Sequence, residues 1–282
     1  MTITGRAALP ALPALDSEYP VERSAIEAYR RDGHVTLSAV AGPEEVSAYR
    51  QAIAEAAMAH NTETRPLEER DTYGRAFLQV WNLWRLDESV ARFVTAERFA
   101  RVAADLMGVD AVRLYHDQAL FKEPGGGATP WHQDRYYWPL DTDDCVTMWM
   151  PLVDAYAGME FVSGSHLERD LGGPDISDES DAHFQRLVAA RSVAPHEVGP
   201  LVAGDATFHA GWMLHRAPGN PTEHMREVIT VIYYADGSRV GALDSEARRT
   251  DLERWLPGAV EGGPAVSPLN PVLWRRADGA RS

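Results

Sequence analysis

A histidine and an aspartate stand two positions apart in the segment Thr129–Trp138, at His132 and Asp134. Residues two apart on a β-strand leave the same face, with their Cα atoms about 7 Å apart, so this imidazole and carboxylate could meet at one metal ion. The pair alone is weak evidence, because a surface aspartate beside a strand histidine gives the same spacing by chance. A metal site therefore needs a further ligand from elsewhere in the chain.

The third ligand of such a site has to come from the histidines that follow this pair. Those histidines are His166, His183, His196, His209, His215 and His224. We favour His215, because a turn at Gly204-Asp205 and a short apolar strand precede it and could return the chain to the same site. His209 stays open as an alternative, since the strand register cannot be read from the sequence.

An arginine, Arg226, follows His215 eleven positions later and opens the apolar strand Val228–Tyr234. A guanidinium at that place is costly unless an anion pairs with it, and its planar fork suits a carboxylate. A structural salt bridge is the alternative interpretation. Two histidines, one carboxylate and this arginine match a non-haem Fe(II) site whose open positions can take O2 and a bidentate 2-oxo acid.

Two other classes of protein remain possible on these residues. Zinc-dependent hydrolases also combine two histidines with a carboxylate, but the His-Glu-x-x-His helix of many such enzymes is absent from this sequence, so iron is preferred. A non-catalytic β-barrel could use the same arrangement to bind a ligand without turnover. An anaerobic complex with Fe(II) and 2-oxoglutarate, and metal analysis of the purified protein, would separate the three classes.

The segments that must position these residues change from helical to strand-like patterns along the chain. Apolar residues at helical spacing predict helices within 21–32, 42–60 and 90–106, with a strand at 34–37 and a loop at 61–73. The stretch Val112–Lys122 alternates with a period of two, which predicts a long strand. Further strands are predicted at 147–152, 160–162, 201–202, 207–209, 213–216 and 228–234, and a surface excursion at 170–181. We therefore predict an α+β, β-dominated fold in which helices pack around one barrel or sandwich.

The domain organisation predicted from this pattern is simple. Residues 1–20 are expected to form a flexible N-terminal tail, and residues 21–282 a single domain. Within it we expect a helical layer over about 21–108, a β core over about 109–236 and a C-terminal extension over 237–282. The sequence shows no internal repeat.

Composition limits the partners of the protein. The 282 residues include 27 Lys and Arg against 42 Asp and Glu, a net charge of −15, which disfavours binding to nucleic acid or to an anionic membrane surface. One cysteine, Cys145, precludes an intrachain disulfide and fits a cytoplasmic location. We expect a small-molecule substrate as partner, and the oligomeric state cannot be read from the sequence.

Several motifs taken together resemble the phytanoyl-CoA dioxygenase-like family of Fe(II)/2-oxoglutarate-dependent oxygenases. The resemblance covers about residues 21–235. It rests on Tyr29–Gly33, Phe121–Pro124, Trp131–Asp134, Tyr137-Trp138, Ser163–His166, Gly204-Asp205, His215, Asn220 and Arg226. The resemblance implies a double-stranded β-helix of the jelly-roll or cupin-like type, with an N-terminal helical layer.

The resemblance also implies roles for individual residues. His132, Asp134 and His215 would ligate Fe(II), and Arg226 would bind the distal carboxylate of 2-oxoglutarate. Further contacts to this cosubstrate would fall on Gln118 and Trp149. The family commonly has serine two positions after the distal histidine, where this chain has Ala217, so we expect Thr147 or Thr207 to supply the missing hydroxyl contact.

The resemblance finally implies the reaction. Halogenating relatives carry alanine or glycine at the position of Asp134, so a carboxylate there predicts hydroxylation, or a related oxidation such as desaturation or ring modification. The oxidation would use O2 and convert 2-oxoglutarate to succinate and CO2. A small organic metabolite of a biosynthetic pathway is favoured as substrate over an acyl-CoA.

Substrate contacts are expected near the proposed ligands. Trp138, Tyr136 and Arg216 are the candidates, with core packing or a surface position as the alternative for each. Glu160 stands unusually near a possible substrate wall, although solvent exposure is the simpler expectation. The glycines at 125–127 predict a mobile flap rather than a phosphate loop, because no Lys-Ser/Thr pair follows them.

Overall fold

The N-terminal part of the chain is helical, as its apolar spacing predicts, in the computed structural model, which describes residues 12–277. The helices of the described chain are α1 (Arg23–Asp32), α2 (Pro43–His60), α3 (Thr72–Ala76), α4 (Glu88–Val94), α5 (Glu97–Met107), α6 (Asp178–Ala189) and α7 (Glu246–Trp255). α1 ends at Gly33, whose φ of 81° favours glycine, and an added Cβ there would lie 2.3 Å from Nδ1 of His166. The stretch predicted as one helix over 90–106 is two, α4 and α5.

Eleven strands in the described residues form two sheets whose strand pairs are all antiparallel. They are β1 (His34–Leu37), β2 (Leu78–Trp81), β3 (Ala111–Phe121), β4 (Thr129–His132), β5 (Cys145–Pro151), β6 (Glu160–Phe161), β7 (His196–Glu197), β8 (Ala206–Ala210), β9 (His215–Ala217), β10 (Val228–Ala235) and β11 (Val272–Arg275). The large sheet has the order β1-β8-β5-β10-β3-β11, with β2 also on β3, and the small sheet has the order β4-β9-β6-β7. The prediction of a β-dominated α+β fold is confirmed.

The large sheet is covered on both faces. Alternate residues such as Met148, Phe208 and Val231 pack against α2, α4 and α5 in the largest apolar core. The intervening residues face the small sheet, and Trp149 and Val228 share a second core there with residues of the small sheet. Because both faces are covered, every residue of β5 is buried. The space between the two sheets holds the candidate site.

A β-bulge in β3 changes which side chains reach that space. The register with β10 shifts between the pairs Val231/Asp117 and Tyr233/Leu114. Leu114 therefore packs in the helix-facing core, whereas His116 and Gln118 line a cavity on the opposite face. The strict alternation predicted for Val112–Lys122 is wrong at this point.

Three other predictions differ from the structure, and the predicted C-terminal extension contains regular elements. Asp134 lies not on a strand but at the start of a 3-10 helix, Asp134–Tyr136, directly after β4. The predicted surface excursion at 170–181 contains the start of α6, and the predicted strand at 201–202 is reduced to one bridge between Ala155 and Leu201. The C-terminal extension supplies both α7 and β11, and β11 pairs with β3.

The predicted flexible tail is only partly within the described chain, because residues 1–11 lie outside it. Residues 12–20 contact the core through some of their side chains, while others are exposed. Leu15 is buried in the main core, and the Arg98 guanidinium donates to the Ser17 carbonyl oxygen at 2.9 Å. A buried cation that needs acceptors explains why this stretch is held against the helices. Within residues 12–277, no helix combines the length and the hydropathy needed to cross a bilayer.

Candidate metal centre

Two strands of the small sheet bring the candidate histidines together. His132 ends β4, His215 begins β9, and the two residues are direct partners in the antiparallel register, with ring centroids 4.1 Å apart. Asp134 follows β4 after one residue. Ligand atoms of these three residues all lie within 4.8 Å of one another, and no other such group of histidine, cysteine or acidic residues occurs in the described chain.

Both imidazoles are oriented by their own strands. Nδ1 of His132 lies 2.8 Å from the Pro130 carbonyl oxygen, and Nδ1 of His215 lies 2.9 Å from that of Met213. A carbonyl oxygen only accepts, so each Nδ1 carries a hydrogen, and in the neutral form of each ring Nε2 then offers a lone pair. These Nε2 atoms lie 3.5 Å and 3.8 Å from Oδ1 of Asp134, so all three ligand atoms face one point.

The other carboxylate oxygen of Asp134 is held from the large sheet. The Thr147 hydroxyl donates to Oδ2 at 3.0 Å, and Nε2 of His209 lies 3.4 Å from the same atom. Thr147 and His209 are register partners on β5 and β8, which explains why both reach one oxygen. Oδ1 is left facing the two histidines.

Burial and the neighbouring histidines shift the pKa values of Asp134 and His215. Burial alone would raise the pKa of Asp134, but His215 and the hydrogen bonds from His132 and His209 outweigh it and hold that pKa well below its usual range. Burial, reinforced by His132 and His209, depresses the pKa of His215 well below its usual value. An anionic carboxylate beside a neutral imidazole is the protonation state that a metal ion requires.

His209, the alternative third ligand, has a different place. Its Nε2 faces Oδ2 of Asp134, away from the point where the other three ligand atoms meet, and its buried Nδ1 has no hydrogen-bond partner in residues 12–277. The geometry therefore favours His215 as the third member of the cluster.

Arg226 lies between the sheets and is 8% exposed. Its guanidinium carbon is 5.5 Å from the Trp149 ring centroid, its Nε has no hydrogen-bond partner, and no described carboxylate forms an ion pair with it. Burial lowers its pKa to about 10. The salt-bridge alternative is thus not met within the described chain, and a buried cation is left to receive an anion from outside.

A cavity of about 470 Å³ connects the cluster His132, Asp134 and His215 with Arg226, Gln118, Trp149 and Trp138. Gln118 is positioned by Gln79, whose amide Nε2 donates to its Oε1 at 2.5 Å.

Two of the predicted substrate contacts, Arg216 and Tyr136, do not line this cavity. Arg216 forms an ion pair with Glu160 at 2.7 Å and lies over the Trp131 ring, so neither charge reaches the cavity. The two residues are register partners on β9 and β6, which brings their side chains to the same face. Tyr136 packs edge to face on Tyr137 and lines a separate small recess.

The structure also adds wall residues that the sequence analysis did not assign to a site. One of them is His116 on β3, and another group is the face of α7 that includes Asp251 and Trp255. The others precede β3 in the chain and are Tyr73, Phe77, Gln79 and Trp81. The pairs at 246–247, 250–251 and 254–255 recur at helical spacing, and that signal could have identified one face of a helix.

Comparisons with known proteins agree with this geometry. A family model described as phytanoyl-CoA dioxygenase matches residues 29–228. Ectoine dioxygenase from Streptomyces anulatus is 24% identical over 249 residues, which cover 76% of this chain and 78% of that protein. A probable alpha-ketoglutarate-dependent hypophosphite dioxygenase from Stutzerimonas stutzeri is 24% identical over 156 residues, 52% of this chain and 54% of its own.

Among solved structures, the alpha-ketoglutarate-dependent epimerase SnoN from nogalamycin biosynthesis is similar over most of its length. It is 28% identical, with a TM-score of 0.70, and the match covers 89% of this chain and 98% of that one. A second structure of SnoN, in complex with Fe3+, alpha-ketoglutarate and nogalamycin RO, is 27% identical with a TM-score of 0.68.

Proposed function

The chain belongs to the phytanoyl-CoA dioxygenase family and is a non-haem Fe(II)/2-oxoglutarate-dependent oxygenase of small molecules; from that premise we propose which of its residues perform the reaction. His132, Asp134 and His215 would hold the iron. Arg226, Gln118 and Trp149 would hold 2-oxoglutarate. The substrate would enter the rest of the same cavity.

The donor set fits Fe(II). The two imidazole nitrogens and one carboxylate oxygen, all within 4.8 Å of one another, are the ligand types of a non-haem Fe(II) site, and His132, Asp134 and His215 would hold the iron while the cosubstrate and O2 bind beside them. When bound, the iron supplies the oxidation that couples decarboxylation of 2-oxoglutarate, with release of succinate and CO2, to attack on a substrate C–H bond. The protein holds the ligands, orients both organic molecules and excludes water.

The single observation that carries the cosubstrate assignment is the buried Arg226, which has no carboxylate partner in residues 12–277 and whose Nη1 only makes a long contact of 3.5 Å to the Pro218 carbonyl oxygen. A guanidinium binds a carboxylate through two parallel N–H donors, and burial makes an anion there strongly favourable. The Trp149 ring lies beside the guanidinium and would pack against the carbon chain of 2-oxoglutarate.

Thr129 is our candidate for the hydroxyl contact that Ala217 cannot make. It is the register partner of Ala217 across β4 and β9, is 6% exposed, and lines the cavity with Arg226. Its Oγ1 lies 3.5 Å from Nζ of Lys122, which is also buried. The two residues expected earlier fit less well: Thr147 is occupied by Asp134, and the buried Thr207 hydroxyl is not part of the cavity wall.

Three finer assignments belong with this proposal. We infer that the two facing sheets form a double-stranded β-helix within one domain, that the enzyme is cytoplasmic, and that the product is a hydroxylated or otherwise oxidised metabolite. The similarity to the epimerase SnoN supports a second outcome, epimerisation, in which a hydrogen is removed and returned to the opposite face of the same carbon; because the substrate then gives up no electrons, an external two-electron reductant would have to complete the reduction of O2.

The test is anaerobic titration of the protein with Fe(II) and 2-oxoglutarate, followed by O2 and detection of succinate with and without a metabolite library. We expect a visible charge-transfer band anaerobically, succinate after O2, and none from His132→Ala or Asp134→Ala. Arg226→Ala should weaken 2-oxoglutarate binding at least about tenfold, since one charged pair is lost, and Arg226→Lys less.

Arg254→Ala is the matched control, because this exposed arginine lines the same cavity without contacting the Arg226 end. It should leave 2-oxoglutarate binding within about twofold. Unchanged cosubstrate affinity in Arg226→Ala would remove Arg226 from the site. Binding of neither Fe(II) nor 2-oxoglutarate would support the non-catalytic ligand-binding protein, and O2-independent turnover with zinc would support the hydrolase.

A further inference from the structure

The cavity has two chemically different ends. At one end Arg226 forms a bridge with Lys122. Lys122 directly follows β3 and His116 lies six residues earlier on that strand, so the Cα atoms of these two residues are separated by about 20 Å along the chain direction. At that distant end the His116 ring lies 4.7 Å from the ring of Trp255, so α7 closes the cavity opposite the cosubstrate arginine.

One face of α7 forms this end wall. It consists of Glu246, Ala247, Thr250, Asp251, Arg254 and Trp255. These positions lie on one side of a helix with 3.6 residues per turn. With Asp175 from the neighbouring loop, the distant end carries three carboxyl groups against one guanidinium among the described lining residues.

Asp251 is the carboxyl group with the clearest need for a partner. The Tyr115 hydroxyl donates to its Oδ2 at 3.2 Å, and no basic side chain of residues 12–277 forms an ion pair with it. Burial raises its pKa to about 7, with opposing effects from Tyr115, Arg254 and Trp255. A cation placed in the cavity would stabilise its ionised form.

His116 gives a second, independent indication of a ligand at this end. The side chain is 4% exposed and forms part of the cavity wall, yet its Nδ1 has no hydrogen-bond partner in the described residues. Burial lowers its pKa to about 3, so the ring is neutral and adds no positive charge. A buried polar atom without a partner is costly unless a bound molecule completes its hydrogen bonding.

The remaining wall at this end is aromatic. The rings of Trp81 and Trp255 lie 6.2 Å apart at 44°, and Trp138 lines the same cavity. Flat aromatic surfaces pack well against a ring, and their faces attract cations.

We propose that this end of the cavity binds a ring-bearing substrate through a protonated amine, with Asp251 as its carboxylate partner and Trp81 and Trp255 against the ring. The inference rests on the proposed function in one respect, that the molecule bound here is the one oxidised at the metal.

The test uses the full-length protein without metal or 2-oxoglutarate, and three indole compounds that differ in one terminal group: tryptamine, tryptophol and indolepropionate. Calorimetric titration at about pH 8 should show tryptamine binding at least about tenfold tighter than tryptophol, and indolepropionate weakest. Asp251→Asn, which preserves the shape and an acceptor for Tyr115, should reduce tryptamine affinity about tenfold and change tryptophol affinity less than about twofold.

Glu253→Gln is the matched control, because it removes one negative charge from an exposed position of the same helix that does not line the cavity. It should leave all three affinities unchanged. Equal affinity for tryptamine and tryptophol, no detectable binding of either, or a tryptamine preference that survives in Asp251→Asn would overturn the proposal.

The two proposals fail in distinguishable ways. Binding of Fe(II) and 2-oxoglutarate is measured separately on the same proteins, and Asp251→Asn should retain it, since Asp251 lies at the opposite end. A wild-type protein that binds the cosubstrate without an amine preference refutes only the substrate class. One with an amine preference but no cosubstrate binding refutes the assignment of Arg226 and its neighbours.

Discussion

At the scale of single residues, Asp134 is contacted by side chains of both sheets. Its Oδ1 faces the two histidines of the small sheet, and its Oδ2 is held by Thr147 and His209 of the large sheet. Because Oδ2 is hydrogen-bonded in this way, Oδ1 stays directed at the proposed metal position. Such supporting contacts typically change metal affinity about 10–100-fold when removed.

Thr129 gives a prediction at this scale. Thr129→Val removes the hydroxyl opposite Ala217 and keeps the side-chain volume, so we expect 2-oxoglutarate affinity to fall at least about tenfold, the value of one hydrogen bond to a carboxylate. Thr129→Ser should restore most of it. The measurement is anaerobic titration of the Fe(II) protein, followed by the charge-transfer band.

Thr207→Val is the matched control for that variant. Thr207 is equally buried, but its hydroxyl has no hydrogen-bond partner in the described residues and does not line the cavity. We expect unchanged cosubstrate affinity in this variant. Equal losses in the two valine variants would show that Thr129 contributes only packing.

The sequence predicted several site residues because their chemistry is local. The pair His132 and Asp134 is visible within one segment. Arg226, at the start of an apolar strand, is visible within another. Arg216 was not predictable in the same way, because its partner Glu160 is set by the register of β9 against β6. Thr129 depends likewise on a neighbouring strand, opposite Ala217.

At the scale of elements, the bulge in β3 determines the composition of the cavity. One extra residue moves Leu114 to the helical side and His116 to the cavity side. Period-two alternation predicted the strand itself correctly, but a bulge depends on pairing with β10, which a single sequence does not reveal. α7 was missed because its mean hydropathy is low and only one face is covered.

Asp117, next to the bulge, gives a prediction about pH. Its buried carboxyl accepts from the backbone N–H groups of Leu83 and Trp84, and burial, which outweighs these bonds, raises its pKa to about 7. The folded state then holds a proton that the unfolded chain releases above about pH 4, so rising pH disfavours folding up to about pH 7. Between pH 5 and 8 the wild type should lose roughly 2–3 kcal/mol of unfolding free energy relative to Asp117→Asn.

Urea unfolding of both proteins at several pH values measures this difference. Asp110→Asn is the control, because Asp110 is exposed at the start of the same region and should follow the wild-type pH dependence. Parallel pH profiles for wild type and Asp117→Asn would mean that Asp117 is ionised in the folded protein.

At the scale of the whole molecule, one buried arginine joins three parts of the chain. The Arg98 guanidinium on α5 donates to both carboxylate oxygens of Glu45 on α2, at 2.7 and 2.8 Å, and to the carbonyl oxygens of Ser17 and Val40. It thereby ties residues 12–20 and the turn after β1 to the helical layer. The sequence could not predict this, since an arginine on a helix is usually solvated.

We expect Arg98→Lys to lower the unfolding free energy by about 2 kcal/mol, because an ammonium cannot replace the planar fork in a buried site. Arg101→Lys on the same helix should cost less than about 0.5 kcal/mol, since its partner Glu18 is exposed. Urea unfolding measures both free-energy changes, provided that the wild type and the variants have equal m-values. Similar losses in the two variants would show that the Arg98 contacts add nothing beyond a surface pair.

The order of these parts along the chain has an evolutionary consequence. The metal cluster and Arg226 lie within residues 29–228, the stretch shared with the family, whereas α7 begins at Glu246, beyond it. Under the proposed assignment, Asp251 and Trp255 lie outside the stretch that matches the family model, whereas Trp81 and His116 of the same cavity end lie inside it. We therefore expect relatives to differ in their substrates partly through changes in a short C-terminal stretch, while the proposed metal and cosubstrate residues are inherited together.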